Sequence, residues 1–414
     1  MRTKTRDTIA TARGIHPFRM CVPQADLDDL RARLGNGRWP ETTPAESPGD
    51  WSRGVPPAYL RELAAYWRDG FDWRAQEAAL NAFDQFTTTI GGQTIHFFHV
   101  RSPESQAVPL LLTHGWPSSP VEFSRLIGPL ADPGAHGGDP SDAFHVVIPS
   151  LPGYGFSRPL GPSGFTLLGV ARAWAELMRR IGYDRYAAQG TDVGSGVAGM
   201  LPVVDPGRVI GVHLTGTGAA APFDPPLDVD TFSGVDRERA ERHNAFRDSG
   251  TGYLAIQSTR PQTLGYGLTD SPLGQLAWIV EKFHEWTDPA HVRPDDAVDR
   301  DQLLTNVSLY WFTRSGASSA HAVFEGMRAW REFAARRTEG GRDWSDGSDG
   351  SPADAAAPPT GVAVFAADTT VRSLLDPTGS IAHWSEFDRG GHFAAMEVPE
   401  LLVDDLRAFF RPLR

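Results

Sequence analysis

The sequence predicts an α/β domain with a mostly parallel, doubly wound sheet, a helical cap inserted within it and a mainly helical extension ahead of it. Three observations carry this. Short apolar runs alternate with segments of helical period between residues 108 and 214. The alternation breaks over 218–336 and resumes at 361. Before residue 84 the apolar positions keep helical spacing.

Taken in order, Leu27, Leu30 and Leu34, then Tyr59, Leu60, Leu63, Tyr66 and Trp67 recur at helical intervals, so 15–84 reads as a helical extension. Phe86–Ile90 and Thr94–Val100 are β-like runs that flank Gly91-Gly92, the signature of a tight hairpin. They open the first part of the core, 85–217. Val108 to Thr113 and Ala143 to Pro149 read as buried strands, and Thr166 to Ile181 places Val170, Trp174, Leu177, Met178 and Ile181 on one helical face. Arg208 to Leu214 adds another strand; strands separated by helices pair in parallel because the crossovers cover both faces.

The cap, 218–336, is rich in aromatics around Leu276, Trp278, Ile279 and Phe283 and again over Leu303 to Phe312. Residues 337–360 are acidic and of low complexity, with Trp344 the sole core-forming side chain, and predict a flexible linker. The core closes over 361–414 with strands at Gly361 to Ala366 and Ile381 to Phe387. A final helix from Pro399 to Phe410 has Leu401, Leu402, Leu406 and Phe409 on its apolar face.

A net charge of -12 and a pI near 5.5, with no compact Lys/Arg run, argue against a nucleic-acid partner. Cys21 is the sole cysteine, which excludes an intramolecular disulfide and a multi-cysteine metal site and suits a reducing, cytoplasmic setting. Met1 to Gly14 lacks an apolar segment, and no window reaches the roughly 18 apolar residues of a membrane span, so a soluble protein without a membrane partner is expected.

The most informative stretch is Gln189-Gly190-Thr191-Asp192-Val193-Gly194-Ser195, a small-x-nucleophile-x-small elbow between a strand and a helix with aspartate at its centre. Taken alone, the heptapeptide also fits an ordinary Gly-rich turn with an N-capping Asp. As an elbow it selects the chemistry. A serine there must lose a proton to attack an acyl carbon, whereas a carboxylate is already ionised and can displace a leaving group from saturated carbon, forming an alkyl ester.

Further on, Asp368 ends a strand and His392 follows Arg389-Gly390-Gly391, giving nucleophile, acid and histidine in the chain order of such an elbow enzyme. His392 would activate the water that attacks the Asp192 ester, with Asp368 fixing its tautomer. Asp376, the rival acid, precedes Pro377 in a turn that accounts for it. After the strand Leu110–Thr113 comes His114-Gly115-Trp116-Pro117, where the amides of Trp116 and Val193 would face the developing oxyanion and His114 would be structural.

His114-Gly115-Trp116-Pro117, Pro149-Ser150-Leu151-Pro152-Gly153-Tyr154-Gly155-Phe156-Ser157, the Asp192 elbow and Gly390-Gly391-His392-Phe393-Ala394-Ala395 together resemble an epoxide hydrolase of the α/β-hydrolase fold. The preface resembles the N-terminal extension of the microsomal and juvenile-hormone types, without their membrane anchor. Gln302-Leu303-Leu304-Thr305-Asn306, Tyr310-Trp311 and Pro399-Glu400-Leu401-Leu402 extend the likeness to about residues 15–414.

The resemblance implies a cofactor-free, metal-free enzyme that converts an apolar epoxide and water to a vicinal diol; a homodimer is compatible with it. It also implies two cap tyrosines that hydrogen-bond the epoxide oxygen. Tyr253 matches the first, and Val323 stands where the second belongs. His321, Tyr266 or a water are the candidate substitutes. Trp116, Tyr253 and Val323 are thus the expected substrate-binding residues, and Val193, where relatives often place Trp, implies a wider pocket. Two alternatives use the same residues: a haloalkane dehalogenase, for which Trp116 supplies one halide donor, and a non-catalytic small-molecule-binding homologue.

Overall fold

The computed structural model describes residues 14–41, 49–161, 166–218, 224–338 and 357–414. Its sheet has nine strands: β1 (Ile15–Phe18), β2 (Gln85–Ile90), β3 (Gln93–Val100), β4 (Val108–Thr113), β5 (Phe144–Pro149), β6 (Tyr186–Thr191), β7 (Val209–Thr215), β8 (Thr360–Val364) and β9 (His383–Glu386). They lie in the order β1-β2-β3-β5-β4-β6-β7-β8-β9. From β5 to β9 every pairing is parallel, and β1, β2, β3 and β5 meet antiparallel at the other end. Gly91 and Gly92, at φ 58° and 82°, supply the positive φ that the β2–β3 hairpin demands at both central residues.

The central strands read as continuous apolar runs because both of their faces are covered. In β4, Leu111 joins the core beneath the helices Leu167–Arg180 and Val193–Val204. Leu110 and Leu112 point the other way, into the core beneath Ser124–Ala131 and Pro399–Phe410. Strand β1 is a short non-helical part of an extension that is otherwise mainly helical, as expected. Ile-His-Pro-Phe is too short to show a period, and its strand conformation comes from pairing with β2, Ile15 opposite Thr88. The helices Gln24–Gly35, Pro57–Asp69 and Trp73–Leu80 then lean on the cap. Trp67 Nε1 donates to Ser308 Oγ at 2.8 Å, and the Tyr59 and Tyr66 hydroxyls donate to Asp295 and Asp301.

The cap contains the helices Gly234–Ala245, Gly252–Gln257, Pro261–Asp270, Pro272–Trp286, Arg300–Thr313 and Ser315–Thr338. Of the expected linker, 339–356 lies outside the described residues. Among the described residues, no helix is long and apolar enough to cross a membrane.

One buried polar cluster ties the last helix to the sheet. His213 of β7 and His383 of β9 stand on either side of Gly361 in register, and their Nε2 atoms meet the two oxygens of Asp405 at 2.8 and 2.7 Å. Burial works to raise the Asp405 carboxyl, but the bonds from His213, Ser385 and His383 more than offset it and leave it at about 2. A depressed carboxyl contributes stability above its unfolded value and loses it as pH falls through the folded one. Asp405→Asn should therefore lower the unfolding free energy by about 2 kcal/mol at neutral pH, with the deficit shrinking as pH drops from about 4 toward 2. Urea titrations of both proteins across that range check it.

Candidate active site

Strand β6 ends at Thr191, the helix Val193–Val204 begins two residues later, and Asp192 makes the turn between them at φ 55°, ψ -123°. A non-glycine residue held there is strained, and the surroundings enforce it. A side chain on Gly190 would meet the Gly194 carbonyl at 2.0 Å, and one on Gly194 the Thr113 carbonyl at 1.9 Å. Ser195 locks the turn, its single hydroxyl proton shared between the Gly190 and Thr215 carbonyls. The result lifts the Asp192 carboxylate to the carboxyl edge of the sheet, in the position a nucleophile needs.

One carboxylate oxygen, Oδ1, accepts the Trp116 amide at 2.9 Å. Gly115 permits that approach, since a Cβ on it would lie 2.2 Å from Oδ1. The other oxygen, Oδ2, is 3.6 Å from His392 Nε2. Val193 opens the helix, and its amide makes no bond to the carboxylate. His114 is structural: Nε2 accepts the Leu151 amide at 3.1 Å, so the proton sits on Nδ1 and faces the Gly115 carbonyl. Burial depresses its pKa to about 4 and keeps it neutral.

The loop that holds Trp116 is pinned from the cap. Helix Arg300–Thr313 is buried on most sides, and several of its buried polar groups reach that loop. Asn306 Nδ2 donates to the Pro117 carbonyl at 2.9 Å, the Tyr310 hydroxyl to Ser118 O at 2.7 Å, and Gln302 Nε2 to Val121 O at 3.1 Å. These were motif residues without a role in the sequence; here they hold the loop whose amide binds the Asp192 carboxylate.

His392 is fixed through its backbone, whose amide donates to the Trp286 carbonyl at 2.8 Å. Gly390 N donates to Asp288 Oδ2, and Glu397 accepts the amides of Asp288 and Phe393. Asp368 is buried beside this loop, with Oδ2 accepting the Phe365 amide at 2.8 Å. Burial raises its carboxyl; the Phe365 amide and the charges of His392, Arg239 and Arg242 oppose that. Asp368 and His392 interact here through charge rather than a direct hydrogen bond. Asp376 accepts the amides of Ser380 and Ile381, as a turn residue does.

Tyr253 reaches the site from the cap. Its ring stacks on Trp116 at 4.8 Å and 10°, with the Trp286 ring against it at 5.3 Å. Burial first, and then the Asp192 charge, hold its phenol well above 10, so the proton stays on at neutral pH. Val323 lies half-buried on Ser315–Thr338. Neither side-chain substitute proposed for it is free at the site: Tyr266 is 70% exposed, and His321 Nε2 faces Gln262 Oε1 at 3.2 Å.

Three residues missed in the sequence border this centre. Trp286 packs against Trp116, Tyr253 and His392. Lys282 lies over the Tyr253 ring. Tyr154 is buried within electrostatic reach of both Asp192 and Tyr253. The sequence did carry a signal for Lys282, one of two lysines beside 37 arginines. Among the described residues, no group of His, Cys, Asp and Glu is arranged to hold a metal.

The family model for the epoxide hydrolase N terminus matches residues 15–123, and that for the α/β-hydrolase fold matches 108–247. A Stigmatella aurantiaca protein that bears an epoxide hydrolase name by inference is 44% identical over 404 residues, 97% of this chain and 86% of that protein. Epoxide hydrolase 1 of Sus scrofa is 33% identical over 98% of this chain and 90% of its own length. The structure of the Aspergillus niger epoxide hydrolase superposes with a TM-score of 0.80 at 33% identity, covering 96% of each chain. The chain belongs to the epoxide hydrolases of the α/β-hydrolase fold, among those that carry the epoxide hydrolase N-terminal domain.

Proposed function

We propose that this enzyme opens an apolar epoxide to a vicinal diol in two covalent steps, with Asp192 as nucleophile, His392 as base, Asp368 as its charge partner and Tyr253 as donor. The observation that carries this reading is the unequal treatment of the two Asp192 oxygens, Oδ1 on an amide and Oδ2 beside an imidazole. Oδ2 attacks an epoxide carbon, the carbon–oxygen bond breaks, and the departing alkoxide takes the Tyr253 proton. A phenol suits that task because it stays protonated at neutral pH yet is far more acidic than an alcohol.

In the second step His392 Nε2 takes a proton from water, and the oxygen adds to the Asp192 carbonyl carbon. Charge builds on Oδ1, where the Trp116 amide already points; no rearrangement is needed to stabilise it. Between the steps the Tyr253 phenolate regains a proton from solvent; collapse then releases the diol with the original Oδ2, protonated by the imidazolium that Asp368 stabilises, and the new carboxyl returns its proton to solvent as a carboxylate that keeps one oxygen from water. A single turnover in heavy-oxygen water should therefore place unlabelled oxygen in both hydroxyls of the diol and the label in the peptide that carries Asp192. Label in the diol at that first turnover would mean direct attack by water and overturn the covalent reading. A cytoplasmic setting fits the lone, exposed Cys21.

A further inference from the structure

Lys282 is a buried lysine with two carboxylate partners and an unusual third neighbour. Its side chain is 3% exposed, and Nζ sits 2.8 Å from Glu281 and 2.6 Å from Glu285. The same ammonium lies 4.9 Å from the centroid of the Tyr253 ring and 6.0 Å from that of Trp286. Ordinary ion pairing does not require burial, since both glutamates keep about a third of their side chains in solvent. What the burial does achieve is to place a positive charge against an aromatic ring whose other contacts, Trp116 and Trp286, are also aromatic.

We propose that Lys282 is a positioning residue for ring opening: its ammonium holds the Tyr253 ring on Trp116 and strengthens the phenol as a donor when negative charge develops on the epoxide oxygen. The inference rests on Tyr253 being the donor. As the proton leaves the phenol, the ring becomes electron-rich and its attraction for the cation grows. The contact is therefore stronger in the transition state than in the resting enzyme, the condition for it to accelerate the chemical step. Once the phenol has regained its proton from solvent, no charge develops on Tyr253 while the Asp192 ester is hydrolysed, so the second step is indifferent to Lys282. A compact ammonium fits among the two carboxylates and the ring.

The test measures both steps separately in the full-length enzyme, with a terminal aryl epoxide in single turnover. Lys282→Met should slow alkylation about tenfold and leave hydrolysis of the ester unchanged, and Lys282→Arg, which keeps a cation that can face the ring, should recover most of the loss. In a Tyr253→Phe background the Lys282→Met change should cost nothing further, because the hydroxyl through which it acts is gone. Wild-type alkylation by Lys282→Met, while Tyr253→Phe alone is slow, overturns the role of Lys282 and leaves the donor intact. Equal loss in both steps with a lower Tm, unrelieved by Arg, shows a structural lysine and also overturns it. Wild-type alkylation by Tyr253→Phe removes the donor reading itself.

Discussion

His392→Gln enzyme mixed with an epoxide should gain the full mass of the substrate on the peptide that carries Asp192 and hold it, whereas Asp192→Ala should gain no mass and form no diol. The two residues serve successive steps. Ring opening needs the carboxylate and a donor for the departing oxygen, and neither is His392. Hydrolysis of the ester needs a base for water, and Nε2, 3.6 Å from Oδ2, is placed to take that proton. Glutamine preserves much of the imidazole volume beneath Trp286, whose ring lies 5.0 Å away, but cannot act as a base. Loss of a positioned base costs about 10² to 10⁴ in rate, enough for the ester to accumulate and be weighed by mass spectrometry. Substrate mass on any other residue refutes the assignment of the nucleophile; prompt turnover by His392→Gln refutes that of the base.

How much of this could be read from the chain follows from how local each signal is. The Asp192 elbow, the Gly91-Gly92 hairpin and the helix Pro399–Phe410 are written in consecutive residues, because their geometry is set by backbone freedom and by period. The order Asp192, Asp368, His392 is also written, but not its closure: the loop bearing His392 is set by the Trp286 carbonyl and by Asp288, about a hundred residues earlier. Nothing in the spacing announces that Asn306 and Tyr310 bind the loop carbonyls of Pro117 and Ser118. Strand β1 was illegible for a related reason, since its conformation is supplied by β2 rather than by its own four residues. The cap reads in sequence as an aromatic-rich helical insertion, and the feature that matters, two aromatic rings and a lysine around one phenol, exists only after packing.

Tyr253→Phe should cut the rate of ring opening by about 10² to 10³ and leave hydrolysis of a preformed ester at its wild-type rate, because removing one preorganised donor from a developing oxyanion typically costs that much. The substitution keeps the ring, hence the stack on Trp116 at 4.8 Å, so Tm should not move and a loss of rate is a loss of the hydroxyl. With the phenol held well above 10, the alkylation rate of the wild type should show no alkaline decline from this group at ordinary pH. The large effect depends on the lack of a ready replacement. Tyr266 faces solvent, His321 is turned to Gln262, the Tyr310 proton is committed to the Ser118 carbonyl, and Val323 offers no donor. Tyr154 is the remaining phenol within electrostatic reach of both Asp192 and Tyr253. Stopped-flow measurement of the alkylation phase decides the matter: if Tyr253→Phe opens the ring at the wild-type rate, the donor is elsewhere, and the same measurement on Tyr154→Phe asks whether it is that second buried tyrosine.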